Sequence, residues 1–202
     1  MDLVLTASRF PVVTRDPLAM LADPGLRLLT GPRSLLAAGF AWLVARVAPP
    51  SPLVVVDGAG CVDAACLTEV AGFTGEAPRD LAARVHVAYA ATPYQVAAFL
   101  EAASADAVQE AGRHTLLLGP LDLLGRDDLM WAEEGDLLDR IVRALATLGA
   151  PPRSALVVCP DLPAVAARGP RAAFVPRIAA MADLHLRFDD DRPVTAEMRK
   201  VG

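Results

Sequence analysis

The chain predicts an α/β fold of three layers, with a mostly parallel central sheet and helices on both faces. Short apolar runs alternate with longer Ala- and Leu-rich stretches over most of its 202 residues, the pattern of repeated strand–helix–strand units. The run Leu53-Val54-Val55-Val56 is continuously apolar, as a parallel strand covered on both faces is. Gly and Pro punctuate the runs at Gly31-Pro32, Pro49-Pro50, Asp57-Gly58 and Gly119-Pro120, where strands and helices must end.

The elements follow in order. Residues 1–24 read as an arm, with Phe10-Pro11-Val12-Val13, and a short helix that Asp16 caps and Pro17 opens. A core domain then spans residues 25–188. Leu26 to Thr30 is the first strand, and residues 33–47 form a helix stopped by Pro49-Pro50. Leu53 to Val56 is a strand and residues 62–71 a helix. Val85-His86-Val87-Ala88-Tyr89 is a strand, and Pro93 opens a helix to about Ala103. Thr115 to Leu118 is a strand, and a long helix runs from about Gly135 to Leu148, ended by Gly149 and Pro151. Ala155 to Cys159 is the next strand. Leu184 to Phe188 alternates apolar and polar residues, which predicts an edge or antiparallel strand. Residues 189–202, opening Asp189-Asp190-Asp191, read as a charged, solvated tail.

Composition limits the function. Apolar residues make up 54% and the formal net charge is −5. That balance speaks against strong autonomous DNA binding, which needs a basic face. Cys61, Cys66 and Cys159 form no C-x-x-C pair, so neither a disulfide framework nor a structural zinc site is expected. No stretch reaches about 18 consecutive apolar residues, the span of a membrane helix. The expected location is the cytoplasm, with no membrane partner. His86, His114 and His185 are far apart, without metal-ligand spacing, and Ser34 has no G-x-S-x-G elbow around it.

Leu28-Leu29-Thr30-Gly31-Pro32-Arg33-Ser34-Leu35-Leu36-Ala37-Ala38 reads as a strand, a turn and a helix start. A phosphate loop of the form G-x-x-x-x-G-K-[ST] needs its glycines for backbone approach and its Lys for the β/γ oxygens. Counted from Gly31, its second Gly is Leu36, its Lys is Ala37 and its hydroxyl residue is Ala38; the only lysine in the chain is Lys200.

From these residues, the order and spacing over residues 16–188 resemble the core ATPase domain of the RecA/RadA recombinase superfamily. Leu28 to Gly31 with Pro32 is similar to its strand into the phosphate loop, and Val54-Val55-Val56-Asp57-Gly58-Ala59 to its next strand. Val87-Ala88-Tyr89 with Gln95 and Leu100 matches the following strand and helix. Leu116-Leu117-Leu118-Gly119 matches its Walker B strand. Glu134 to Arg140 with Leu145 matches the helix after its first DNA-facing loop. Ala155 to Cys159 and Asp183 to Phe188 match its last core strands. At the matching positions the catalytic Glu is Ala59 and the Walker B Asp is Gly119. The resemblance therefore implies a paralogue without ATP hydrolysis, cofactor or metal. Such paralogues include recombination mediators, translesion-synthesis accessories related to ImuA, and division inhibitors such as SulA. The implied partner is a protein: a recombinase of the family, a translesion polymerase component, or the chain itself.

The candidate sites follow. Gly31, Pro32, Arg33 and Ser34 form a vestigial phosphate loop, either a residual anion site at a helix N-terminus or a plain turn. Asp57 stands where α/β sheets place ligands, or serves as a turn residue. Arg168, Arg171 and Arg177 occupy the second DNA-facing loop of the resemblance and are the expected phosphate contacts, or belong to a solvated loop. The acidic stretch Asp122, Asp127, Asp128, Glu133 and Glu134 would repel DNA and is expected to face a protein, with Met130 and Trp131 as anchors or Trp131 buried. Phe10 anchors the arm on a partner, or folds onto its own core. Two functions remain open: a non-catalytic RecA-like protein of DNA repair, and a nucleotide-binding switch or weak ATPase with a non-standard phosphate site.

Overall fold

The computed structural model describes residues 17–107, 113–124, 131–162, 168–189 and 192–198. Among these described residues a short 3-10 helix, Pro17–Ala22, leads into seven strands and six helices: β1 (Gly25–Gly31), α1 (Leu35–Arg46), β2 (Leu53–Asp57), α2 (Ala64–Thr74), α3 (Pro78–Arg84), β3 (Val85–Tyr89), α4 (Pro93–Ala107), β4 (His114–Leu118), α5 (Trp131–Leu148), β5 (Ser154–Pro160), α6 (Pro170–Met181), β6 (Leu184–Asp189) and β7 (Arg192–Met198). The strands make one sheet in the order β3-β2-β4-β5-β1-β6-β7. The first six are parallel, and β7 runs antiparallel to β6. This is the three-layer α/β arrangement the sequence predicts, consistent with a RecA-like layering. None of the described helices is long and apolar enough to cross a membrane.

Strand alternation splits the core in two. Ala155, Val157 and Cys159 of β5 join Leu117, Leu137, Ile141, Leu145 and Phe174 on the side of α4, α5 and α6. Leu156 and Val158 join Leu36, Phe40, Leu43, Leu116 and Leu81 on the side of α1, α2 and α3. Every residue of β1 and of β5 is buried, which is why the central runs are unbroken. Each fully buried Leu or Val contributes about 1.5–3 kcal/mol from loss of contact with water.

Three expectations are corrected. β6 is not an edge strand: it pairs parallel with β1 and, as the antiparallel half of the expectation has it, antiparallel with β7. Its alternation reports one-sided burial: Leu184, Leu186 and Phe188 face the α1 layer, while Arg187 is exposed. The tail is not wholly solvated, since residues 192–198 add β7. The helix expected at 62–71 begins at Ala64, where the Asp63 carboxylate accepts from Cys66 N at 2.8 Å, and the seven-residue α3 follows it unannounced.

The N-terminal end of the sheet is held by buried arginines. Arg27, on β1, donates Nε to the Met20 carbonyl at 3.1 Å and Nη2 to the Pro24 carbonyl at 2.8 Å, and its Nη1 lies 3.4 Å from Asp183. Burial lowers its pKa, with Asp183 and Asp23 opposing. Arg84, at the end of α3, makes a two-pronged pair with Glu76 at 2.9 and 2.7 Å. These bonds hold the Glu76 carboxyl below its ordinary range. His114 opens β4 close by; burial first, then the charge of Arg84, lowers its pKa.

The signs of these shifts set the acid response. Below the ordinary histidine value near 6.5 the unfolded chain takes up the His114 proton before the folded chain does, so stability falls. The Glu76 contribution is complete above the ordinary carboxylate value of 4.5 and is lost as pH drops through the lowered folded value. Urea midpoints measured from pH 8 to about pH 2 are expected to decline in these two stages. His114→Leu should remove its share of the upper stage and leave the lower one. An unaltered profile in the variant would reject this assignment.

Candidate functional site

The strand order creates a crevice at the C-terminal ends of β1 and β5. The helix after β1 packs on one face and the helix after β5 on the other, so the two loops part there, as at the ligand-binding switch points of α/β sheets. Loops after β1, β2, β4 and β5 surround it.

The loop after β1 contains the expected phosphate turn. Gly31 has φ +152°, and a Cβ there would meet the Phe188 carbonyl oxygen at 2.5 Å. Its own carbonyl accepts from Asp161 N at 2.7 Å. Gly31 is thus required by a close crossing of β1, β5 and β6. The Leu35 and Leu36 N–H groups donate to the Pro32 and Arg33 carbonyls at 3.0 and 3.1 Å, and Pro32 has no N–H. The Leu35 and Leu36 amides of the expected phosphate cradle are thereby committed within the turn. Leu36 turns into the α1 core, and Ser34 makes no capping bond.

The loop after β2 is organised by Asp57. Its buried carboxylate accepts from the backbone N–H of Ala59 at 3.0 Å, Gly60 at 2.8 Å and Val62 at 2.8 Å. Asp57 is therefore the turn residue of the two readings open in the sequence. The Cys61 thiol donates to it at 3.7 Å. Burial and the Asp57 charge push that thiol up to about 12, so Cys61 is no nucleophile at neutral pH. Burial pushes the Cys159 thiol up as well.

The loop after β4 closes against both. Gly119 has φ +58°, and a Cβ there would meet the Ala59 Cβ at 2.7 Å and Asp122 Oδ2 at 2.9 Å. Gly119 N donates to the Val158 carbonyl at 3.0 Å, and Gly58 N to the Leu118 carbonyl at 2.9 Å. The positions where the resemblance expects a metal-associated Asp and a catalytic Glu thus lie against each other as Gly and Ala. Asp122 reaches Arg33 Nη1 at 2.9 Å. Burial raises its pKa, and Arg33 counteracts this.

A cavity of about 170 Å³ lies on the α6 side of the crevice, with Thr30, Cys159, Asp161, Arg171 and Arg187 in its wall. Thr30 Oγ1 and His185 Nε2 are 2.9 Å apart, tying β1 to β6. Arg187 lies 3.4 Å from Asp161 and 3.3 Å from Asp189. Among the described residues no group of three or more His, Cys, Asp or Glu stands close enough to hold a metal ion.

The three arginines expected at DNA differ in their surroundings. Arg168 is exposed. Arg171 Nε lies 2.5 Å from the carboxylate of Glu134, which is only 1% exposed, and Arg177 Nη1 lies 2.6 Å from Asp139. Both pairs join α6 to α5, so a nucleic-acid phosphate would have to displace a carboxylate. Correspondingly, two acids assigned to a partner-facing surface are occupied internally, Asp122 by Arg33 and Glu134 by Arg171. Trp131 opens α5. Phe10, Asp127, Asp128 and Met130 lie outside the described residues. The buried arginines Arg27 and Arg84 went unmarked in the sequence, where charges in loops and helix ends read as solvated. No family model matches the chain, and no curated protein matches it either.

Two outcomes test this geometry. Arg171→Ala should lower unfolding free energy by about 3 kcal/mol by leaving the Glu134 charge buried without its partner. Arg177→Ala, at an exposed pair, should cost at most about 1 kcal/mol. Equal losses in urea titrations would remove the distinction. Gly119→Asp should cost roughly 2 kcal/mol or more, because the loops must move to admit the side chain. A neutral Gly119→Asp chain would show that the β2 and β4 loops are looser than drawn.

Proposed function

We propose that the chain is a catalytically silent RecA-like protein that acts in DNA repair, recombination or the damage response through protein contacts. The observation that carries the reading is the closure of the strand-end loops. Leu36, Ala37 and Ala38 replace the phosphate-loop residues, and Ala59 and Gly119 replace the acids. At Gly119 the space an acid would need is taken by the Ala59 Cβ and the Asp122 carboxylate. Phosphoryl transfer depends on a positioned cation, metal and water-orienting group, and Ala37, Gly119 and Ala59 stand where the resemblance would put the side chains for these tasks.

The sheet edges support a protein partner. Among the described strands β3 pairs with β2 alone. Its residues Val85 to Tyr89 contain no Pro, Lys, Arg, Asp or Glu, the residues with which natural edges are blunted. β7, at the other edge, contains Arg192, Pro193 and Glu197. Tyr89 and Tyr94 beside β3 are 55% and 47% exposed, and tyrosines of this kind anchor interfaces. By the same mode of strand addition this chain's own arm, with Phe10, is proposed to dock on the sheet edge of a related protein or of a second copy. Trp131 is the proposed second contact. The free thiols of Cys61, Cys66 and Cys159 fit a reducing cytoplasm.

One observation favours the alternative, a nucleotide-binding switch: Arg33 is 67% exposed at the turn after β1. Its partnership with Asp122 weakens that reading, since the carboxylate already occupies the cation.

Titrating ATP with magnesium into a melting experiment separates the two. The proposal expects no shift in melting temperature and no phosphate release above background, because only a ligand of the folded state raises that temperature. A saturable rise abolished by Arg33→Ala would establish the switch instead. Isolated chain should bind DNA weakly at physiological salt, given its net charge of −5. Any residual binding should fall in Arg168→Ala. Tight, salt-resistant binding that survives changes at Arg168, Arg171 and Arg177 would discard that surface.

A further inference from the structure

We propose that the free edge of β3 pairs antiparallel with β3 of a second copy, about a two-fold axis at Val87, so that two sheets join into one. The inference deepens the reading of β3 as a protein-contact edge and rests on it; the repair role does not enter.

The direction of the backbone groups carries the argument. Ala90 N donates to the Asp57 carbonyl at 3.0 Å, toward β2. Successive residues of a strand turn their N–H and C=O groups to opposite sides. Those of His86 and Ala88 therefore face β2, and those of Val85, Val87 and Tyr89 face away from it. The Val85 N–H turns back to the Leu81 carbonyl at the end of α3. What remains outward is the N–H of Val87 and Tyr89 and the carbonyls of Val85, Val87 and Tyr89. Laid antiparallel on its own copy about Val87, this set is self-complementary. The two Val87 residues exchange both of their bonds, and each Tyr89 N–H meets the Val85 carbonyl of the other copy. In this register Tyr89 stands opposite Val85 and His86 opposite Ala88 of the second copy, so Val87 alone meets itself.

The rest of the edge fits the same occupant. Addition of β3 to β7 of another copy would lay it against Arg192, Pro193 and Glu197, residues that blunt an edge. A β3 pair instead uses one surface twice and closes at two subunits. Ala82 and Ala83, exposed just before the strand, are too small to hold a neighbouring strand away. The Tyr89 phenol donates to the Val62 carbonyl, so its exposed ring is already fixed when it meets a partner, and little side-chain entropy is lost there. A five-residue strand buries less than a standard interface, which sets the expected association in the micromolar range. With β3 so occupied, the docking of the arm falls to a related protein.

Sedimentation equilibrium of the full chain from about 1 to about 100 µM should show a mass that rises from 21.2 kDa to twice that value and stops there. Val87→Pro removes an outward N–H and no bond to β2. It should weaken association at least roughly tenfold and leave the urea midpoint of the dilute chain close to wild type. A second pair of variants reads the register. Val87→Cys places two thiols on residues about 5.5 Å apart at Cα, within disulfide reach. Diamide, which takes up the two electrons and two protons, should convert it to a covalent dimer. His86→Cys, whose copies lie about 7–8 Å apart on the diagonal, should cross-link no more than wild type, whose own thiols serve as the control. A monomer at every concentration would overturn the proposal, as would a mass that climbs past two chains. So would a dimer that persists in Val87→Pro, or His86→Cys linking as readily as Val87→Cys. A monomeric result removes the second copy as partner and leaves the related protein, so it stays distinct from a failure of the repair reading, which the nucleotide titration decides.

Discussion

Three backbone amides converge on the carboxylate of Asp57, and the C-terminal end of the sheet depends on that convergence. A buried acceptor with three N–H partners holds residues 57–62 in one shape. That shape sets Ala59 over Gly119 and lets Gly58 donate to the Leu118 carbonyl. The Gly119 turn then delivers Asp122 to Arg33 across the mouth of the crevice. Each loop is positioned by the one before it. A carboxylate in the place where α/β enzymes present a ligand-binding group has become a scaffold for backbone.

The opposite end of the sheet is secured by different chemistry. Arg27 serves the carbonyls of Met20 and Pro24 as well as Asp183, and Arg84 serves both oxygens of Glu76 and the Val44 carbonyl. A guanidinium can do this because its donors fan out in a rigid plane, whereas an ammonium offers a single point of charge. The near-absence of lysine is thus compatible with a chain whose buried cations are structural. Hydrogen-bonded arginines below and closed loops above hold the strands between two fully apolar layers.

This arrangement bears on function. An ATPase keeps its strand-end loops open enough to admit phosphate, metal and water. Here Gly31 abuts the Phe188 carbonyl and Gly119 abuts Ala59, so both glycines serve close chain crossing. The bare features lie elsewhere, at the unguarded β3 edge and around Phe73.

By itself the sequence determined the class of fold and the place of nearly every strand and helix, because apolar periodicity and Gly-Pro punctuation are local signals. It also determined that the phosphate-loop residues are missing, since identity at Leu36, Ala37 and Ala38 needs no structure to read. The direction of β6 required the tertiary structure, because an alternating Leu184-His185-Leu186-Arg187-Phe188 reports burial on one face and is silent about the neighbour. The pairing of β7 was hidden for the same reason, its acidic lead-in reading as solvated. α3 was too short to show a helical period. The fate of Arg171, Glu134, Arg27 and Arg84 was beyond local reading, because a charge is buried only where a partner distant in sequence meets it. The closure of the crevice was likewise decided in three dimensions: Asp57, Ala59, Gly119 and Arg33 come from three separate loops, and only the packed sheet brings them within contact.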